Sequence, residues 1–428
     1  MSPLKQEKRA CKYQAILKAE LLTATGCTEP IAIAYASALA RAALGHMPER
    51  IQVLCSGNIV KNVKSVVVPS TGGLRGIPVA ALIGAIGGDE TACLDVLHAV
   101  NETHLAKVRQ LLADGVCTVE LLDTSEKLLI QIMMQGGGHT SFVEIKGTHT
   151  HVTALKRDGN EQPMPYEAEA NSPDEDLNLD YDSLTIHEIL EYARRADLSQ
   201  LAPILEHQLT CNTRVAFEGL KKEYGLNIGR HLLSRDASTR TRALAMAAAG
   251  SDARMSGCAL PVVINSGSGN QGLTVSIPVA EYAFALGASH EQLLRALVIS
   301  NLTAVHIKHE IGRLSAFCGA VSAACGAGAA ITWLYGGTEQ QIACTISNTL
   351  ANVAGIVCDG AKPSCAAKIA SALDAALLGH ELALEGKHFA GGDGLVCPEI
   401  EDTIHKIGQL GGRGMRETDR VILDLMMH

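Results

Sequence analysis

Ser315-Ala-Phe-Cys-Gly-Ala-Val-Ser-Ala-Ala-Cys-Gly-Ala-Gly-Ala-Ala-Ile-Thr-Trp-Leu-Tyr-Gly-Gly-Thr338 runs for 24 residues without a charged side chain. That length would reach across a bilayer. Its composition argues otherwise, because Ala, Gly and Ser dominate and no cluster of basic residues flanks it. The stretch is read as a helix buried on all sides within a protein interior, where small side chains let neighbouring helices approach closely. The sequence around it agrees. From about residue 184 onward the apolar periodicity is almost wholly helical, over 186–195, 198–224, 238–249, 274–286, 290–305, 315–334, 338–353, 365–378 and 399–410.

The N-terminal part differs. Residues 1–48 read as helices broken at Gly26-Cys27-Thr28-Glu29-Pro30, with Thr28 as a cap and Pro30 in the tolerant first turn. Short β-rich runs follow at 51–54, 63–68, 118–122, 128–133, 141–146 and 151–156, with helices expected at 75–87 and 89–114. An acidic, proline-containing connector at 161–182 closes this region. The expected fold class is therefore α+β. Helices at 1–48 pack on the C-terminal domain, a smaller mixed α/β region spans 49–183, and an all-helical catalytic domain spans 184–428.

Composition narrows the function. Apolar residues make up 47% of the 428 and charged residues 19%, as in a globular chain. Aromatics are only 3% and the net charge is −9, which argues against nucleic-acid stacking and phosphate-binding surfaces. The basic residues at 5–9 are interrupted by Glu7 and lead into no apolar signal core, so a cytoplasmic location is expected. The expected partner is a small-molecule substrate, with no nucleic acid and no membrane; Ala/Gly-rich helices are compatible with a homo-oligomer. Thirteen cysteines, an odd number spread along the chain, suit metal or redox chemistry better than a disulfide framework.

Two irregular segments interrupt the helical region, Asn265-Ser-Gly-Ser-Gly-Asn-Gln-Gly272 and Cys358-Asp-Gly-Ala-Lys-Pro-Ser-Cys365. The second brings two thiols to the ends of one turn, with Cys365 opening a helix whose N–H groups favour thiolate. Cys318 precedes its own helix and needs the fold to join them. Three thiolates suit an iron–sulfur cluster better than zinc if one iron must stay open, although the spacing matches no ferredoxin-type run and small buried cysteines are the alternative. Cys27 stands at a further helix start. Its readings are a catalytic base, a fourth cluster ligand displaced by substrate, or a plain helix-entry residue. Ser266, Gly267, Ser268 and Asn270 offer backbone N–H groups and side chains to a substrate carboxylate, or form a tight turn that needs glycine. Lys308 is a second candidate carboxylate partner or a solvated helix end. Lys362 is a candidate for contacts to cluster sulfur, Ser70–Gly73 for substrate contact, and His306 with His309 for an incomplete zinc site.

Gly26–Pro30, Ser266–Gly272, Leu314–Ala320 and Cys358–Lys362, in this order and spacing, resemble the L-cysteine desulfidase family, which is related to the iron–sulfur L-serine dehydratases. The resemblance covers essentially the whole chain. It implies an oxygen-sensitive [4Fe–4S] lyase, free of pyridoxal phosphate, that converts L-cysteine to pyruvate, ammonia and hydrogen sulfide. It implies Cys318, Cys358 and Cys365 as cluster ligands, and places Cys27 where the family has an additional cysteine. The serine dehydratases carry an extra cysteine at the C-terminus, where this chain has Leu425-Met-Met-His428; Cys27 is the natural substitute. As base, Cys27 is expected as a thiolate held near neutrality by its helix start and by the cluster. The competing functions are an L-serine dehydratase using the same cluster and a non-catalytic iron–sulfur redox sensor.

Overall fold

The computed structural model describes residues 3–164 and 179–427, so most of the connector expected at 161–182 lies outside the described residues. The chain is α+β. Helix α1 (Pro3–Glu20) leads through the short strand β1 (Thr23–Thr25) to α2 (Thr28–Leu44). A six-stranded sheet follows, made of β2 (Arg50–Cys55), β3 (Cys117–Leu121), β4 (Leu129–Gly136), β5 (His139–Lys146), β6 (Val152–Arg157) and β7 (Asn160–Glu161), in the order β3-β2-β4-β5-β6-β7. Only β2 and β3 are parallel. Their connection is long enough to cross over, through α3 (Gly57–Val63), α4 (Ile77–Gly87) and α5 (Glu102–Ala113).

Alternation sets the buried face. Ile130, Ile132 and Met134 of β4 pair across from Ile145, Val143 and Ser141 of β5, and all of these are buried. Helix α2 lies over this face, packed in turn against α4. The helix pair touches through small residues: a Cβ on Gly84 would sit 2.2 Å from the Ala34 carbonyl oxygen.

The helical half comprises α6 (Ile186–Arg195), α7 (Leu198–Lys221), α8 (Ile228–Leu233), α9 (Thr239–Met255), strand β8 (Pro261–Val263), α10 (Gly269–Ala285), α11 (His290–Ile311), α12 (Gly319–Leu334), α13 (Glu339–Val353), α14 (Ser364–Leu384) and α15 (Ile400–Gln409). One π-helical turn (Leu410–Gly414) then leads to α16 (Arg416–Met427). Helix α12 is the uncharged stretch, and α10, α11, α13 and α14 all pack on it. A Cβ on its Gly326 would meet the Ser300 carbonyl oxygen at 2.3 Å, so a larger residue would force α11 away. Among the described residues, no helix is long and apolar enough to cross a membrane.

Three sequence expectations are corrected. The strand expected at 63–68 is instead the end of α3 followed by an extended run, bridged only at Val67 to Arg75. The helix expected at 89–114 begins at Glu102, because Asn101 caps it by accepting from the Thr103 and His104 N–H groups. Helices α8 and α16 were not anticipated. Helix α10 starts at Gly269, earlier than periodicity placed it, because Ser268 caps it from within the glycine-rich segment.

Strand β1 pairs antiparallel with β8. This small pairing positions the site, since the chain enters the Gly26–Pro30 turn directly after β1 and the glycine-rich segment directly after β8.

Candidate active site

One pocket is built from separate stretches of chain. At the first, Gly26 adopts φ +70° and packs so tightly on Pro69 that a Cβ would lie 2.0 Å from its Cγ. Only glycine allows that turn. Cys27, and not Thr28 as the sequence suggested, takes the N-cap position of α2 with extended backbone (φ −88°, ψ 133°). Its thiol faces the pocket and donates to Glu29 Oε2 at 3.1 Å.

The glycine-rich segment forms the second wall. Asn265 and Ser268 exchange backbone hydrogen bonds of 3.1 and 3.0 Å, closing a turn with Ser266 (φ +49°) and Gly267 (φ +78°) in left-handed conformation. Ser268, Asn270 and Gln271 line the pocket. Ser266 and Gly267 do not. The Ser266 hydroxyl donates to Asn265 Oδ1 at 2.9 Å, and the Gly267 carbonyl accepts from the Thr28 hydroxyl at 3.1 Å. Their role is to shape the turn.

The third wall holds the cysteines. Phe317 and Val357 pair as an isolated antiparallel bridge, with the Cys358 N–H on the Ala316 carbonyl at 2.6 Å and the Cys318 N–H on the Ile356 carbonyl at 3.1 Å. Cys318 and Cys358 therefore stand side by side. Cys318 is the N-cap of α12, and Cys365 lies in the first turn of α14. All three line the pocket with Cys27. Gly360 (φ +95°) lets the intervening loop press on α3, where a Cβ would lie 2.4 Å from the Lys61 carbonyl oxygen.

Buried cations complete the site. Lys308 is 4% exposed and lines the pocket, so it is not a solvated helix end. Burial lowers its pKa to about 8, against the nearby Cys358 and Cys318. Arg254, at the end of α9, is 2% exposed and donates from Nη2 to the Gly26 carbonyl and from Nη1 to Asn270 Oδ1. It pins the first wall to the second. Lys61 of α3 donates to the Cys358 carbonyl at 3.3 Å and to Asp419 of α16 at 2.5 Å.

Electrostatics within the protein bear on the charge of Cys27. Burial, then the Glu29 carboxylate, push the Cys27 thiol well above its usual range, and nearby Arg254 only partly opposes this. The protein's own groups thus favour the Cys27 thiol, against the thiolate that its helix start favours. The carboxylate is the ionised member of the pair. Although burial opposes it, the nearby His149, then the Cys27 thiol, lower the Glu29 pKa to about 2. Asn62 Nδ2 lies 2.8 Å from Oε1. His149 Nε2 stands 4.0 Å from the same oxygen, an ion-pair distance too long for a hydrogen bond.

Burial, then the neighbouring Cys358, raise the Cys318 pKa to about 12, and burial also raises that of Cys365. Among the described residues, no group of three or more His, Cys, Asp or Glu converges tightly enough for a single metal ion. A multi-iron cluster makes a different demand, because each thiolate binds a different iron. The donor set fits that demand. Three thiols share one pocket, and the positive charges of Lys308, Lys368 and Arg254 lie close enough to bias them towards ionisation.

The remaining sequence candidates fall elsewhere. Lys362 does not line the pocket and turns to Met426 Sδ (3.9 Å) and Asp359 (4.0 Å). His306 and His309 point to different carboxylates, Glu401 and Asp182. Thr71 spends its hydroxyl on the Val68 carbonyl. Glu29, Asn62, Arg254 and Gln271 were missed. Glu29 lay inside a quoted motif, whereas nothing local marks Arg254, whose partners are distant in sequence.

Residues 93–424 match the serine dehydratase alpha chain family. Full-length relatives named UPF0597 protein come from Lachnoclostridium phytofermentans (54% identical, covering 96% of this chain and 98% of the relative), Treponema denticola (46%, covering 97% of each) and Finegoldia magna (44%, covering 97% and 99%). The family match agrees with the serine-dehydratase side of the sequence resemblance. The chain belongs to the serine dehydratase alpha chain family.

Proposed function

We propose that this chain is a cytoplasmic, iron–sulfur-dependent carbon–sulfur lyase that eliminates hydrogen sulfide from L-cysteine. The observation that carries the reading is the meeting of Cys318, Cys358 and Cys365 with Cys27, the α10 cap and buried cations in one pocket. Those three cysteines would hold a [4Fe–4S] cluster, which when bound supplies a thiophilic Lewis acid for the leaving sulfur.

The chain's own residues do the rest. The substrate carboxylate is received by Lys308, which lines the pocket and has no carboxylate partner of its own among the described residues, and by the start of α10 at Ser268 and Asn270. Cys27 handles the Cα proton. Its thiol must first lose its own proton to solvent, and Arg254, which favours the Cys27 anion, assists that step. The aminoacrylate then tautomerises and hydrolyses to pyruvate and ammonia.

L-Serine is the second reading, favoured by the family to which the chain belongs. Anaerobic reconstitution with ferrous iron and sulfide, followed by parallel assays of sulfide released from L-cysteine and pyruvate formed from L-serine, tests both. The expected result is an iron–sulfur absorbance band and kcat/KM at least about 10-fold higher for cysteine, a margin of about 1.4 kcal/mol. The reverse preference selects the dehydratase. A colourless protein after reconstitution, or no turnover of either amino acid, refutes the lyase.

A further inference from the structure

The pocket contains buried acceptors that the protein does not satisfy. Glu29 accepts from Asn62 Nδ2 (2.8 Å) and Cys27 Sγ (3.1 Å), while the single Thr28 hydroxyl proton is shared between Glu29 (3.2 Å) and the Gly267 carbonyl (3.1 Å), which leaves lone-pair capacity on the carboxylate. Asn62 Oδ1 and Gln271 Oε1 are buried carbonyl oxygens with no hydrogen-bond partner among the described residues. Both residues line the same pocket as Glu29. Rotating the Asn62 amide offers no relief, because its nitrogen is committed to Glu29 and the turned oxygen would face the carboxylate.

Native proteins rarely leave buried carbonyls unpaired, so such atoms at a pocket wall point to a ligand that pairs them. A carboxylate beside two orphan carbonyls calls for several N–H donors, a positive charge and no acceptor. A primary ammonium group, with three donors, meets that description. The opposite polarity also lines the pocket, in Lys308 and in Arg254, whose buried Nε has no partner among the described residues. Acceptors and donors in one pocket match a zwitterion.

We propose that Glu29, Asn62 and Gln271 form the subsite for the substrate α-ammonium group. The inference deepens the lyase reading, on which it rests for the identity of the rest of the substrate. Because the Cys27 sulfur lies against Glu29, an ammonium group held there brings the carbon that bears it next to Cys27.

Calorimetric titration of the full chain, reconstituted anaerobically, with L-alanine and with propionate tests this without turnover. L-Alanine has no leaving group, and propionate lacks only the ammonium. L-Alanine is expected to bind at least about 10-fold tighter than propionate, as loss of a charged hydrogen bond predicts. Glu29→Gln should remove about 10-fold or more of the L-alanine affinity and Gln271→Met about fivefold, with propionate within about twofold in both. Thermal unfolding verifies that each variant is folded, and Gln271→Met decides alone if Glu29→Gln is not. Equal binding of the two ligands, no binding of L-alanine, or folded variants that keep wild-type affinity for L-alanine would overturn the proposal. If the lyase reading fails instead, cysteine and serine are not turned over while the discrimination between alanine and propionate persists.

Discussion

Replacing Arg254 by Gln should loosen the junction of the first two walls of the site. The guanidinium is buried and donates to the Gly26 carbonyl and to Asn270 Oδ1, while its Nε has no partner among the described residues. Glutamine is shorter and carries a single NH2, so it cannot reach both acceptors. Hydrogen bonds to charged groups contribute about 1.5–3 kcal/mol each. Relief of burying the cation returns part of that. The net loss should be about 2–4 kcal/mol. With a denaturant dependence of roughly 5 kcal/mol/M, above the small-protein range as befits a longer chain, the urea midpoint should fall by about 0.4–0.8 M. A second readout separates packing from charge. Arg254 is the cation that favours ionisation of Cys27. Its removal should therefore slow alkylation of Cys27 by iodoacetamide across the alkaline range, mapped by peptide mass spectrometry. An unchanged midpoint together with an unchanged alkylation profile would refute the assignment of Arg254 as the pin of this site.

Three further outcomes follow from the geometry. Gly360→Ala places a Cβ against the Lys61 carbonyl at positive φ, costing about 1–2 kcal/mol for the backbone alone. Iron bound after reconstitution should drop while far-ultraviolet circular dichroism stays unchanged; full iron loading would contradict the placement of the Cys358–Cys365 loop. Cys358→Ala should lower iron and sulfide content and abolish turnover, and a variant that retains the wild-type absorbance band would remove Cys358 from the ligand set. Asp252 is 1% exposed, and burial raises its pKa from 3.8 to about 6. A raised folded-state value means that its stability contribution is complete below pH 3.8 and lost as pH rises through about 6. At neutral pH the charged form costs up to about 3 kcal/mol. Asp252→Asn keeps an acceptor for the Gly229 N–H and should raise the unfolding midpoint at pH 8 but not at pH 4. Equal shifts at both pH values would show that ionisation is not the cause.

The sequence by itself determined the helical half, because apolar periodicity, capping residues and glycine breaks are local signals. Thr338 and Ser289 cap α13 and α11 through reciprocal bonds with Gln341 and Gln292, as local rules require. Strand alternation likewise marked β2 and β4–β6. The three candidate ligand cysteines were legible as thiols beside turns and helix starts. Tertiary structure alone decided how they meet. The pairing of β1 with β8 sets Cys27 opposite the glycine-rich turn, and the bridge from Phe317 to Val357 sets Cys318 beside Cys358. Arg254 and Asn62 enter the site from helices whose own sequence gives no hint of it. The charge of Cys27 depends on tertiary structure for the same reason. A helix start favours thiolate through nearby backbone dipoles, but desolvation and a neighbouring carboxylate act through space, and in a buried pocket they outweigh it.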